Sequence, residues 1–166
     1  MDSFFSKLYL DLQERIKSAV PEIEWIEQDF GQDIFDEWRP NVAFPAVLID
    51  FPSTTYSEIG NINQSAQAAI MLRLLFAPFS QSYEDAPIEV RQDALQFFEI
   101  ENKLVNALQG WTPTGAYCQP LLRRAAASVN NNRIGLRIRN LSFSTAYLEI
   151  FETPEALEQT VTMKIV

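Results

Sequence analysis

The amino-acid sequence predicts an α+β fold: a mainly antiparallel, twisted sheet with two principal helices packed on one face. Three observations lead there. Two stretches, one near the N-terminus and one mid-chain, repeat apolar residues at intervals of three and four. Several others run apolar or alternate over strand lengths, and they cluster between and after the helices instead of alternating with them. Proline, glycine and asparagine punctuate the junctions.

The first helix covers residues 3–20. Phe5, Leu8, Leu12, Ile16 and Val20 form its stripe, Asp2 or Ser3 is the candidate N-cap, and Pro21 stops it. Glu22–Phe30 alternates as a strand, with Ile23 and Trp25 on one face and Glu22 and Glu24 on the wet one. Gly31–Asn41 is an acidic connection, a surface loop or short helical turn, carrying Phe35 and Trp38, and the tryptophan is either a partner-binding anchor or a plug over the core edge. Val42–Phe51 (VAFPAVLIDF) is so apolar that both faces should be covered, and Pro45 places it at an edge or a bulge. Thr54–Gln64 reads as a loop or hairpin connection turning at Gly60 and Asn61, with a protruding arm as the alternative.

Ala66–Phe76 alternates as a strand, with Gln67, Ala69, Met71, Arg73 and Leu75 on its second face. Ala66, Ala68, Ile70, Leu72, Leu74 and Phe76 share one face, and the run should pair antiparallel with 42–51. The central helix occupies Pro87–Trp111, with Phe97, Ile100, Leu104, Leu108 and Trp111 as its stripe and Gly110 as its left-handed end. Asp93 falls in line with that stripe, so the first turns should be less buried. Gln119–Ser128 is strand or helix by composition; Asn130–Asn132 is a turn. Ile134–Phe151 is a long strand whose phase slips between Ile138 and Leu141, which implies a bulge near Arg139–Asn140. Within 152–166, Thr160–Val166 has strand composition and either closes the sheet or pairs with a neighbouring subunit. With 166 residues and no dividing linker, one domain spanning 1–166 is expected, 152–166 being an extension for subunit or partner contacts.

Composition excludes more than it assigns. Apolar residues make up 47% of the chain, enough for a core. No apolar run reaches the roughly 18 residues that span a bilayer, and the charges within the first helix argue against a signal peptide. The net charge of −9 disfavours clamping nucleic-acid phosphates. The chain has no histidine, so the commonest general base and metal ligand are both missing. Cys118 is the sole cysteine and is expected as a buried small hydrophobe. Glu27, Asp29, Asp33, Asp36 and Glu37 cluster without the spacing of a calcium loop and read as a solvated acidic edge. Arg123, Arg124, Arg133, Arg137 and Arg139 read either as a basic patch for contact between copies or as ordinary surface arginines. No catalytic, cofactor-binding or metal-binding residue is assigned, and no cofactor is called for.

In order, these elements are an amphipathic first helix, a PEIEWI strand, a proline-containing FPAVLIDF strand, a long AIMLRLLF strand, a helix ending in LVNALQGW and a late LSFSTAY strand. The pattern resembles that of the tail terminator, or tail completion, proteins of tailed bacteriophages and their head–tail joining relatives, over most of residues 3–151. The resemblance implies a non-catalytic virion protein in the tail or neck, assembled in the host bacterial cytoplasm. It implies a homo-oligomer, a hexameric ring, that caps the tail tube protein and meets the head–tail connector protein. Genomic DNA would pass through the lumen without specific binding, and no membrane is involved. The alternatives are another neck ring protein, or a small acidic ligand-binding domain or carboxylate-dependent enzyme. An acidic bore would repel phosphates, and residues 27–37 or the 54–64 arm are the candidates to face it or an axial partner.

Overall fold

The computed structural model describes residues 3–34, 42–60, 62–77, 82–129 and 135–151. Their order is helix α1 (Phe4–Ala19), strand β1 (Trp25–Gln28), a 3₁₀ turn (Gln32–Ile34), strands β2 (Ala46–Asp50), β3 (Thr54–Gly60) and β4 (Asn63–Phe76), helix α2 (Ile88–Leu108), and strands β5 (Leu122–Ser128) and β6 (Arg137–Glu149). The sheet runs β1-β2-β4-β6-β5, with β3 also paired to β4. Among the described residues only the β1–β2 pair is parallel. This is the α+β fold the sequence predicts.

The alternation in β4 decides the layering. Ile70, Leu72, Leu74 and Phe76 face α1 and α2, where they meet Leu8, Leu12, Ile16, Leu104 and Leu108 in the main core. The opposite sheet face holds a smaller cluster of Val42, Ala46, Leu48, Leu75, Leu136 and Ile138. Both faces of β2 are therefore covered, as its unbroken apolar run requires.

Both helices match their predicted stripes, with adjustments at the ends. Ser3 sits at the N-cap of α1, but its hydroxyl makes no cap bond. α2 stops at Leu108, three residues before Trp111, because Gly110 turns left-handed at φ 74° and its N–H donates to Leu121 O. The first turns of α2 are exposed, as the position of Asp93 implies. Two polar links fasten the helix layer. Arg15 Nε donates to Ala107 O at 2.9 Å, and the Asp11 carboxylate accepts the N–H groups of Gly115 and Ala116 at 2.8 and 3.1 Å.

Four local expectations are corrected. Of the readings of 54–64 the loop fails and the hairpin holds: residues 54–60 form a strand paired antiparallel with β4 from Thr54↔Ala68 to Gly60↔Asn63, so the chain between 42–51 and 66–76 is itself part of the sheet. In β1 it is Ile26 that packs on the core, while Trp25 is exposed and donates its indole N–H to Glu27. β2 is flanked by β1 and β4, so it is not an edge; Pro45 lies just before it, and only its carbonyl is used, by Glu24 N–H. β6 pairs with β4 without a register shift from Arg137 to Glu149. The phase slip reflects two cores: Ile138 serves the smaller one and Leu141 the larger. The bulge lies instead in β5, between Arg123 and Ala125.

Candidate assembly surfaces

β4 is 14 residues long, and β2 covers only its second half. Its first half lies between β3 and the end of β6, giving a three-stranded arm beyond the helices. Phe4 anchors the root of the arm by stacking on Tyr147 with centroids 3.6 Å apart, and Phe5 leans on Phe51. Burial raises the Tyr147 pKa, and hydrogen bonds to Tyr56 and Glu149 add to the effect. Tyr56, level with Tyr147, is exposed, as are Ile59, Ile62, Leu148, Ile150 and Phe151 further out. β3 is exposed from Thr55 to Gly60. A strand with no buried face lacks the hydrophobic alternation by which strands are recognised. That is why this one reads as a loop.

Two of the clustered acids, Asp29 and Asp33, do not form a solvated edge. Asp33 is 2% exposed and grips Arg73 of β4 through both oxygens, at 2.8 and 2.7 Å. Asp29 adds contacts at 3.2 Å. Burial by itself would lower the Arg73 pKa, yet the bonds and charges of Asp33 and Asp29 leave it raised. These two carboxylates are thus spent holding the 3₁₀ turn against the sheet. Asp36, Glu37, Phe35 and Trp38 lie outside the described residues, as do Asn130–Asn132, Arg133 and 152–166. Among the described residues no cluster of three metal-ligating side chains occurs.

The described arginines are also largely engaged within the chain. Arg139 forms a two-pronged pair with Glu101 at 2.6 and 2.8 Å and reaches Ser128. The Glu101 hydrogen bonds raise the Arg139 pKa. Arg137 lies 3.8 Å over the ring of Phe97. Arg124 donates to Ser144, and Arg123 approaches Glu101 at 3.9 Å. Glu101 is the residue sequence reasoning missed, although a clue was present: it falls four residues after Phe97, on the apolar side of α2. What remains for a partner is β5 itself, whose seven residues are all exposed.

Cys118 is half-buried, and burial raises its thiol pKa, the direction of an unreactive cysteine. Between the first turns of α2 and the sheet end lies a cleft of about 960 Å³ lined by Phe44, Leu95, Phe97, Phe98, Leu136 and Arg137, among others. Glu22 stands on its wall, paired with Lys103, and that bond lowers the Glu22 pKa. A general acid needs the opposite shift.

No protein-family model matches the sequence, and no curated protein matches it. Solved structures do match. The fold is shared with a virion chain. That chain belongs to the virion of the native gene transfer agent (GTA) particle, with a TM-score of 0.50 at 8% identity, over 88% of this chain and 98% of that one. At this identity the likeness establishes a common fold.

Proposed function

We propose that this chain is a structural virion protein of a tailed bacteriophage, a tail terminator that caps the tail tube and joins it to the head connector. The observation that carries the proposal is the fold shared with a chain of a virion particle, along nearly the whole of both chains. The geometry supports it. Strands β3 and β5 are exposed, which is a liability in a monomer and an asset in a building block. The described ion pairs fasten the protein's own elements to one another, which supports a structural role without catalysis. Residues 1–166 act as one domain, with 152–166 serving subunit or partner contacts.

In this reading six copies form a ring around a lumen. The net charge of −9 keeps DNA moving through without binding it. Among the described residues no helix is long and apolar enough to cross a membrane. Another ring protein of the neck fits the same fold likeness and differs only in its contacts.

Electron microscopy of tails incubated with the gold-labelled protein tests the proposal. The label is expected at one end of each tail, on the side that receives the head. Label along the tube or on the capsid, or none on the tail, refutes it.

A further inference from the structure

We infer that the outer edge of β3 pairs with the outer edge of β5 of a second copy of this chain, in one register. The inference takes from the proposal above only that copies associate. Among the described residues β3 pairs with β4 alone and β5 with β6 alone. Each contributes a seven-residue strand. Unpaired edges offer backbone donors and acceptors to another strand.

Which residues face outward follows from the ladders. Ala69 N–H donates to Ser53 O, so by the two-residue period Thr54, Tyr56 and Glu58 point their backbone groups away from β4. Val129 N–H donates to Ile138 O, so Ala126 and Ser128 point away from β6. Nearer the start of β5, the Arg123 N–H is already taken by Gln109 Oε1. The open edge therefore runs from Arg124 to Ser128.

Two independent checks agree. The first is the facing of side chains. Tyr56 stands beside Ala66 and Tyr147, on the helix side of the sheet. Ala126 stands beside Leu141, on the same side. Outward-facing residues of both edges thus carry side chains to the helix face, and joining them keeps both helix layers on one side. Opposite parity would have turned the second copy over, which no rotational ring allows. The second check is direction. Within one chain β3 and β5 run antiparallel, so an antiparallel joint leaves the second copy oriented like the first. Such a contact is heterologous and propagates into a ring or filament.

The register follows from charge. Pairing Thr54 with Ser128 and Tyr56 with Ala126 puts Glu58 at the Arg123–Arg124 bulge, an acid beside two exposed bases whose contacts within the chain are a 3.9 Å approach to Glu101 and a bond to the neutral Ser144 hydroxyl. It also sets a stagger. Tyr56 is level with Ala66 of β4, whereas Ala126, through Leu141, is level with Leu72, a step of six residues. That is about 20 Å at about 3.3 Å per residue, against about 19 Å for four strands spaced about 4.8 Å apart. The slope, near 45°, is of the size at which sheets close into barrels.

Cysteines test the register. In this alignment Ser57 and Ala125 form a non-hydrogen-bonded pair, where side chains come closest. Both are exposed. Within one chain they are separated by β4 and β6, too far for a disulfide, which needs Cα atoms within about 7 Å. In a Cys118→Ser background, Ser57→Cys with Ala125→Cys is expected to give a ladder of covalent multimers on oxidation. Ser57→Cys with Ala126→Cys, which points to opposite faces, gives little or none. Removing residues 152–166 leaves the ladder unchanged. No ladder, equal ladders from both pairs, or a ladder that appears only after the truncation overturns the inference. Rings seen by microscopy without the 57–125 bond overturn it alone and leave the proposed function standing. Loss of tail labelling overturns the function and leaves the strand joint to its own result.

Discussion

Removing the Asp33 carboxylate should destabilise the isolated protein, with no lumen or partner involved. Asp33 is buried and binds Arg73 through two short bonds, while Asp29 holds the same guanidinium more loosely at 3.2 Å. Breaking a buried ion pair from one side costs about 3–5 kcal/mol. The Arg73 side chain retains 18% exposure, and Asp29 remains to share its charge. Asp33→Ala is therefore expected to cost about 2–3 kcal/mol, at or just below the lower bound of that range. Arg73→Met removes the cation that two carboxylates share and should cost more, about 3–5 kcal/mol. At about 2–4 °C per kcal/mol for a chain of this size, Asp33→Ala lowers the melting temperature by about 4–12 °C. Combining Asp29→Asn, Asp33→Asn and Arg73→Met should recover much of the loss, because nothing charged is left buried. Thermal and urea unfolding give the numbers. An Asp33→Ala variant within about 0.5 kcal/mol of the parent would sink the assignment of this turn as a structural clasp.

Three further outcomes follow from local geometry. A methyl group at Gly115 would sit 2.8 Å from Asp11 Oδ1, so Gly115→Ala should cost about 1–3 kcal/mol, measured by urea unfolding. Tyr117 holds φ 47° while 86% exposed, so Tyr117→Gly should stabilise by about 1 kcal/mol, read as a higher urea midpoint at constant slope. Tyr147 has its pKa raised on folding, so its stabilising effect is complete below the ordinary tyrosine value near 10 and is lost as pH climbs above it. Stability measured from pH 9 to 11.5 should fall by up to about 1.4 kcal/mol per pH unit from this group, and Tyr147→Phe should flatten the slope.

The sheet and its helices were legible because burial writes period into sequence. Leu8, Leu12 and Ile16, or Ile70, Leu72 and Leu74, reveal their face without knowledge of what lies opposite. β3 was not legible as a strand, since Thr55 to Gly60 bury nothing and are held by backbone bonds to β4. Ion pairs were not legible either. Asp33 and Arg73 are 40 residues apart, and Glu101 and Arg139 are 38 apart. Composition counts all four as surface charge, and only the fold makes them neutral couples.

That conversion changes how the charge of the chain bears on function. The acids nearest the sheet are spent on Arg73, and the arginines on β6 are spent on Glu101 and Phe97. A contact between copies driven by a broad basic patch meeting a broad acidic one would have to break these pairs and bear the cost of stranding buried charge. A contact through strand edges breaks none of them. It uses backbone groups of β3 and β5 that the chain leaves on its rim, and it needs charge only at Glu58 and the Arg123–Arg124 bulge, to select the register. The described arrangement, with ion pairs inside each copy and open ladders at its margins, suits a subunit built to join others edge to edge.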